Sequence, residues 1–226
     1  MTPFTNLPES ADYTAGREKL RLAEIELMQH REAVAAMRRA LPPGPTVPDY
    51  VFAEGPGELE AGDEPVRMVS LSQLFSAPDR PLIIYHFMYG KRQTSPCPMC
   101  TLWIDGFNGI AHHIAQNIDF AVVAAADLST LRAHARARGW DNLRLLSAGE
   151  TTFKADHGSE DEEGNQESTI SVYTRDADGS VRLSYVGRPP MSDEIRERGI
   201  DLLAPVWHLL DLTPAGRGDW YAGLDY

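Results

Sequence analysis

Thr94-Ser95-Pro96-Cys97-Pro98-Met99-Cys100-Thr101-Leu102-Trp103 contains both cysteines of the chain, separated by two residues. The apolar run before it, Leu82-Ile83-Ile84-Tyr85-His86-Phe87-Met88-Tyr89, reads as a buried strand. The residues after it carry a helical pattern from about Pro98 to Gln116. A Cys-x-x-Cys at a strand-to-helix turn is a dithiol redox motif, and the helix start supplies the reason. Unpaired N–H groups and the positive end of the helix dipole stabilise an anion there, which lowers a thiol pKa. Pro98 suits the first helical turn, where its missing N–H costs nothing. Cys100, Ile104 or Phe107, Ala111 and Ile114 recur at three- and four-residue steps, the face that meets a sheet. Cys100 is therefore expected inside, and Cys97, at the cap, more exposed and more acidic. The roles follow: Cys97 attacks as nucleophile and Cys100 resolves a mixed disulfide.

Two other readings of the pair stand beside this one. Half of a zinc site would need two more ligands, which only His86, His112, His113 or His157 could supply, since no second Cys-x-x-Cys exists. No metal centre is assigned on that basis. The pair could also be inert on a scaffold that binds a partner. Near the motif, His86, Tyr89, Lys91 and Arg92 are candidates to tune Cys97, and Trp103 to contact substrate.

Composition narrows the function classes. The chain has 226 residues, 42% hydrophobic and 24% charged, enough for one sizeable core with an appendage. Net charge is −12, from 33 acidic and 21 basic residues, with no basic footprint for a phosphate backbone or an anionic membrane surface. The apolar runs are too short to span a bilayer. The start, Met1-Thr2-Pro3-Phe4-Thr5-Asn6, lacks the charged and apolar regions of a secretion signal, so a cytoplasmic location is expected. In a reducing compartment a lone cysteine pair points to catalysis or metal rather than a permanent staple.

Along the chain, residues 1–16 read as an extended lead-in and 17–41 as a charged helix. Leu20, Leu27, Val34 and Leu41 recur every seven residues along it. This stripe suits either a homodimer seam or, preferably, a helix lying across its own domain. Pro42-Pro43-Gly44-Pro45 ends it, which sets the expected division: an N-terminal helical extension over 1–45 and the main domain over 46–226. Residues 46–68 read as loop with a short strand at 50–52, and 69–75 as a short helix or turn capped by Ser70 or Ser72. After the motif helix come a strand over 118–125, a helix starting behind Ser129 and ending near Gly139, and a short continuation to Leu146. Glu160-Asp161-Glu162-Glu163 reads as a solvated loop. Segments 169–175 and 180–186 alternate with period two around Asp176-Ala177-Asp178-Gly179, an antiparallel hairpin. A closing helix is expected over 192–211, kinked or divided at Pro205, followed by a tail with aromatic anchors Trp220, Tyr221 and Tyr226. The order βαβα, hairpin, α is the thioredoxin plan, and the motif falls at its first strand-to-helix turn.

Several segments together resemble a bacterial thioredoxin-like family catalogued as domain of unknown function 899. They are Tyr50-Val51-Phe52, Ile84-Tyr85-His86-Phe87-Met88-Tyr89-Gly90, Cys97-Pro98-Met99-Cys100-Thr101-Leu102-Trp103, Asp105-Gly106-Phe107-Asn108-Gly109, Ser147-Ala148-Gly149 and Leu210-Asp211-Leu212-Thr213-Pro214. The resemblance implies an α/β fold with a thioredoxin-like βαβ-ββα core, a long N-terminal helix and extended loops. Two departures from thioredoxin itself stand out. The dipeptide is Pro-Met, as in the Cys-Pro-x-Cys of glutaredoxins, and Glu167-Ser168-Thr169-Ile170 lacks the proline that usually precedes the third core strand. The expected activity is thiol–disulfide exchange without a cofactor, on a protein or small-molecule disulfide, with a thiol reductant as electron source. A peroxiredoxin-like thiol peroxidase acting on peroxide is the nearest alternative, with Thr94 three residues before Cys97. The other is the binding scaffold.

Overall fold

In the computed structural model, residues 7–149, 151–193 and 203–225 are described. The chain divides into two compact units at Pro42–Pro43. The first is helix α1, Ala11–Arg39. It begins earlier than the heptad pattern suggests, because Ser10 caps it: the Tyr13 N–H donates to Ser10 Oγ at 3.2 Å. No residue of α1 is buried, and Leu20, Leu27 and Met37 of its stripe stand exposed.

The second unit is built on one sheet. Its described strands are β1 (Val51–Glu54), β2 (Arg67–Ser70), β3 (Leu82–His86), β4 (Asp119–Ala124), β5 (Arg144–Ser147), β6 (Thr169–Arg175) and β7 (Val181–Gly187), in the order β2-β1-β5-β4-β3-β6-β7. β3, β4 and β5 are parallel neighbours; β6 runs antiparallel to β3, and β7 to β6. Helices α2 (Pro98–Gly109) and α4 (Leu128–Arg138) supply the crossovers β3→β4 and β4→β5. This is the thioredoxin fold, enlarged by the β1–β2 hairpin on the β5 edge. The predicted 169–186 hairpin is present with its Asp176–Gly179 turn.

Alternation sorts the core into two layers. Tyr85, Val122, Ala124 and Leu145 face the α2–α4 side with Cys100, Trp103, Ile104 and Trp140. Leu82, Ile84, Ala121, Val123 and Leu146 face the other side, with Phe52, Leu71, Phe153 and Tyr173. Several boundaries differ from the sequence reading for local reasons. The motif helix breaks at Ile110, and Ala111–Ile114 forms a separate turn, α3. α4 is capped by Asp127, which accepts from Thr130 N at 2.8 Å, so it starts ahead of Ser129. β2 takes residues that the sequence divides between the 46–68 loop and the 69–75 turn; they pair only with β1 and are half exposed, so they carry little periodic signal. A short helix at Phe153–Asp156, α5, was not expected. Pro205 opens the last described helix, α6 (Pro205–Asp211), at its first turn, while residues 194–202 of the expected helix lie outside the described residues. The expected helical residues Ile195, Ile200 and Leu202 and the anchor Tyr226 lie outside the described residues. Among the described residues no helix is long and apolar enough to cross a membrane.

The free edge of β7 is covered by the chain's own entry into this unit. Val47 N donates to Val181 O and Leu183 N to Pro45 O. A side chain at Gly44 would run into the Leu183 carbonyl oxygen.

Arg132 on α4 is the main buried cation of this region. Its guanidinium donates to the carbonyls of Pro56 (2.8 Å), Glu58 (3.1 Å) and Gly62 (2.8 Å) and to Asp63 (3.0 Å), tying the β1–β2 connection to α4. Replacing it leaves several part-buried carbonyls and a carboxylate without their donor. Arg132→Met is expected to lower unfolding free energy by about 2–3 kcal/mol in urea denaturation, with an unchanged slope. A loss below about 0.5 kcal/mol, the range of ordinary surface substitutions, would show that the clamp contributes nothing.

Candidate active site

The site forms where β3 leaves the sheet. Phe87 N still donates to Val123 O at 2.8 Å, and the chain then turns outward. The turn is fixed by Cys97 N to Met88 O (3.1 Å) and Ala126 N to Tyr89 O (2.8 Å). Cys97 is thereby set at the N-cap of α2, with Pro98 in the first turn as expected. Its sulfur accepts from Cys100 N at 3.5 Å. Cys100 is fully buried in the α2-side core, and Cys97 is half-buried; both are free thiols.

The two thiols are pushed in opposite directions. The Cys100 thiol, donating to the Cys97 sulfur, pulls the Cys97 pKa down to about 6, helped by the backbone N–H groups of Cys100 and Met99; burial and the Glu167 carboxylate oppose this. Burial pushes Cys100 well up, and the Cys97 thiolate adds to it. At neutral pH the pair is one accessible thiolate beside one buried thiol, the charge distribution of a nucleophile and its resolving partner.

The neighbours proposed from sequence are dispersed. Trp103 is buried, edge-on to Tyr85 at 6.1 Å, beside Cys97 in a cleft wall. Tyr89 is buried against Phe87 and His134. Lys91 and Arg92 lie exposed in the turn, and Arg92 donates to Glu163 O at 2.7 Å rather than to a thiol. His86 points to the opposite layer, which corrects its tuning role: strand alternation turns it away from Tyr85 and the cysteines. It is fully buried, stacked on Phe153 at 4.8 Å and held between Ser159 and Ser171, each at 2.8 Å. Ser159 Oγ donates to Lys154 O, so His86 Nδ1 carries the proton and Nε2 accepts from Ser171. Burial depresses its pKa and keeps it neutral. Among the described residues no three His, Cys, Asp or Glu side chains gather where they could hold a metal, and His112 and His113 are exposed on α3.

Sequence reasoning missed three contributors. Tyr85 is fully buried, with its hydroxyl 2.9 Å from Ser168 Oγ, and its ring lies with Cys100 in the core. Lys154, on α5, is 1% exposed and its ammonium donates to Phe87 O at 2.7 Å. It has no ion pair among the described residues, and burial lowers its pKa to about 8. The third is the C-terminal segment, whose Trp207, Trp220 and Tyr221 stand around Cys97. A period-two strand pattern could have flagged Tyr85; nothing local marks the other two.

Fold and site together define a thioredoxin-like protein with a vicinal dithiol at the start of its first core helix. More particularly, the chain belongs to the family described as bacterial protein of unknown function (DUF899), whose profile matches residues 3–225. No curated protein matches it. Among solved structures it is similar to reduced Prx3 of Vibrio vulnificus in complex with hydrogen peroxide: 17% identity, covering 72% of this chain and 97% of that one, TM-score 0.48. Peroxidoxin BcpB of Mycobacterium tuberculosis gives 20% identity, with 71% and 92% covered and TM-score 0.48. AhpC of the same organism gives 15% identity, with 76% and 98% covered and TM-score 0.48.

The depressed thiol makes a direct prediction. With a pKa of about 6, Cys97 is about 90% thiolate at pH 7, against a few per cent for an ordinary thiol. Iodoacetamide should modify Cys97 selectively in the native protein, with a rate that falls as pH drops through about 6. Mass spectrometry locates the adduct. A rate that rises only through pH 8.5–9, or equal labelling of Cys100, would contradict the assignment.

Proposed function

We propose that the protein is a thiol–disulfide oxidoreductase, with Cys97 as nucleophile and Cys100 as resolving thiol. The observation that carries this is the pairing of a Cys97 thiolate at the α2 cap with a buried Cys100 thiol that donates to it. The Cys97 thiolate attacks one sulfur of a disulfide, forming a mixed disulfide and expelling one thiolate, which takes up a proton. Cys100 then loses its proton and attacks the Cys97 sulfur, closing the Cys97–Cys100 disulfide and releasing the second thiol. The cycle moves two electrons and needs no cofactor; a thiol reductant would reset it.

The charge around Cys97 favours a disulfide over a peroxide. Cleaving an O–O bond develops charge on the departing oxygen, which a cation or a set of aligned donors must stabilise. The leading stabilisers of this thiolate are a thiol and two backbone N–H groups, and the leading charge acting on it is the Glu167 carboxylate, which opposes it. Arg92 is engaged with Glu163.

Cys100→Ala provides the test. The wild-type dithiol should release two thiol equivalents per disulfide consumed. The variant should release one, retain a stable adduct on Cys97, and show a Cys97 pKa above 6 because its donor is gone. Quantitative thiol release and intact-mass spectrometry report both. Activity that survives Cys97→Ser, or turnover of hydrogen peroxide at rates far above those with any disulfide, would overturn the proposal.

A further inference from the structure

Cys97 lines a cleft of about 370 Å³, within the size range of small-molecule sites. Three separate stretches wall it: α2 with Met99 and Trp103, the approach to β6 with Glu167 and Ser168, and the C-terminal segment with Trp207, Trp220 and Tyr221. Trp207 and Trp220 pack edge-on at 5.4 Å, so the C-terminal wall is itself ordered by aromatic contact. Protein-directed exchange needs a thiol that a partner's loop can approach; here aromatic rings stand on more than one side.

The cleft is also poor in usable positive charge. Arg217 lies over the Trp207 ring at 5.0 Å and is paired with Asp211 at 2.9 and 3.0 Å. Glu167 adds a carboxylate beside the thiol, and the chain as a whole carries −12. An anionic substrate would meet repulsion there. Trp103 and Trp207 are both buried in the wall, which adds apolar area and no charge to it.

We propose that this cleft is a binding site for a small uncharged disulfide with aromatic or alkyl arms, and that Trp207, Trp220 and Tyr221 set that selectivity. The proposal deepens the oxidoreductase reading and depends on Cys97 as its attacking thiolate. One arm of the substrate, RS–SR, lies against the aromatic wall while Cys97 attacks the sulfur of the other. RS⁻ leaves and takes a proton from solvent, Cys100 loses its proton and displaces the second RS⁻ by forming the Cys97–Cys100 disulfide, and that proton balances the second RSH. The balance is one dithiol oxidised and one disulfide reduced.

The test compares reduction rates of diphenyl disulfide, bis(2-hydroxyethyl) disulfide, glutathione disulfide and insulin by the reduced full-length protein. Each rate is divided by that with dithiothreitol, which removes the intrinsic reactivity of the disulfide. Diphenyl disulfide should exceed glutathione disulfide and insulin by about tenfold or more on this scale, and Trp220→Ala should collapse the ratio. Trp220 is about half exposed, so its removal leaves the core intact. In parallel, calorimetry measures binding of 4,4′-dihydroxybibenzyl, an unreactive mimic with no disulfide. Saturable binding that Trp220→Ala weakens supports the site even if no disulfide reacts, an outcome that would sink only the redox reading. Normalised rates equal across the four disulfides, or no saturable binding of the mimic, would overturn the cleft proposal while leaving exchange chemistry standing.

Discussion

The hydrogen bond from Cys97 N to Met88 O is the contact on which the site depends. β3 brings Phe87 to the C-terminal end of the sheet, where its N–H donates to Val123 O, and the chain must then leave and return to start α2. Without a closure at Met88, the start of α2 would be free to shift against the sheet, and the N–H groups that hold the thiolate would shift with it. Lys154 reinforces the same point from the opposite layer. Its ammonium reaches Phe87 O, the peptide next to the one that holds Cys97. A buried ammonium carries a desolvation cost, and here that cost maintains the geometry of an adjacent peptide rather than an ion pair.

Much of this was legible because it is local. The Cys-x-x-Cys, the apolar strand before it and the helical spacing after it are all encoded within about two turns or one strand of the residues concerned. Cys100 falls inside for the same reason that Ile104 and Phe107 do: all lie on one face of α2. The 169–187 hairpin was equally readable from alternation and its Asp-Gly turn. What could not be read depends on distant partners. β2 is a strand only because β1 pairs with it, and β1 is held by β5, some ninety residues later in the chain. His86 was misplaced because proximity in sequence to the motif says nothing about which face a strand residue occupies. Lys154 and the Trp207–Tyr221 wall become part of the site through tertiary packing alone.

α1 illustrates the converse limit. Its heptad spacing correctly implies a helix, since backbone hydrogen bonds and a Ser10 cap suffice to define one. The same spacing says only that an apolar stripe exists, not what covers it.

The opposed shifts of the two thiols also bear on which redox state is favoured. Lowering Cys97 to about 6 stabilises the reduced form, because a thiolate is lost when the disulfide closes. It also makes Cys97 the better leaving group of the pair, so a thiol that attacks the substrate-side sulfur of a mixed disulfide expels Cys97 readily, in competition with attack by Cys100 on the Cys97 sulfur. Burial of Cys100 acts the other way on rate: its raised pKa leaves little resolving thiolate at neutral pH. The partner that lowers Cys97 is the same thiol that must later lose its proton. In the proposed exchange Cys97 loses its charge once it is bonded to substrate; its contribution to the raised Cys100 pKa then disappears, while that of burial stays, and this eases the resolving step. Under the proposed exchange, the contact between the sulfurs favours that order of the two steps.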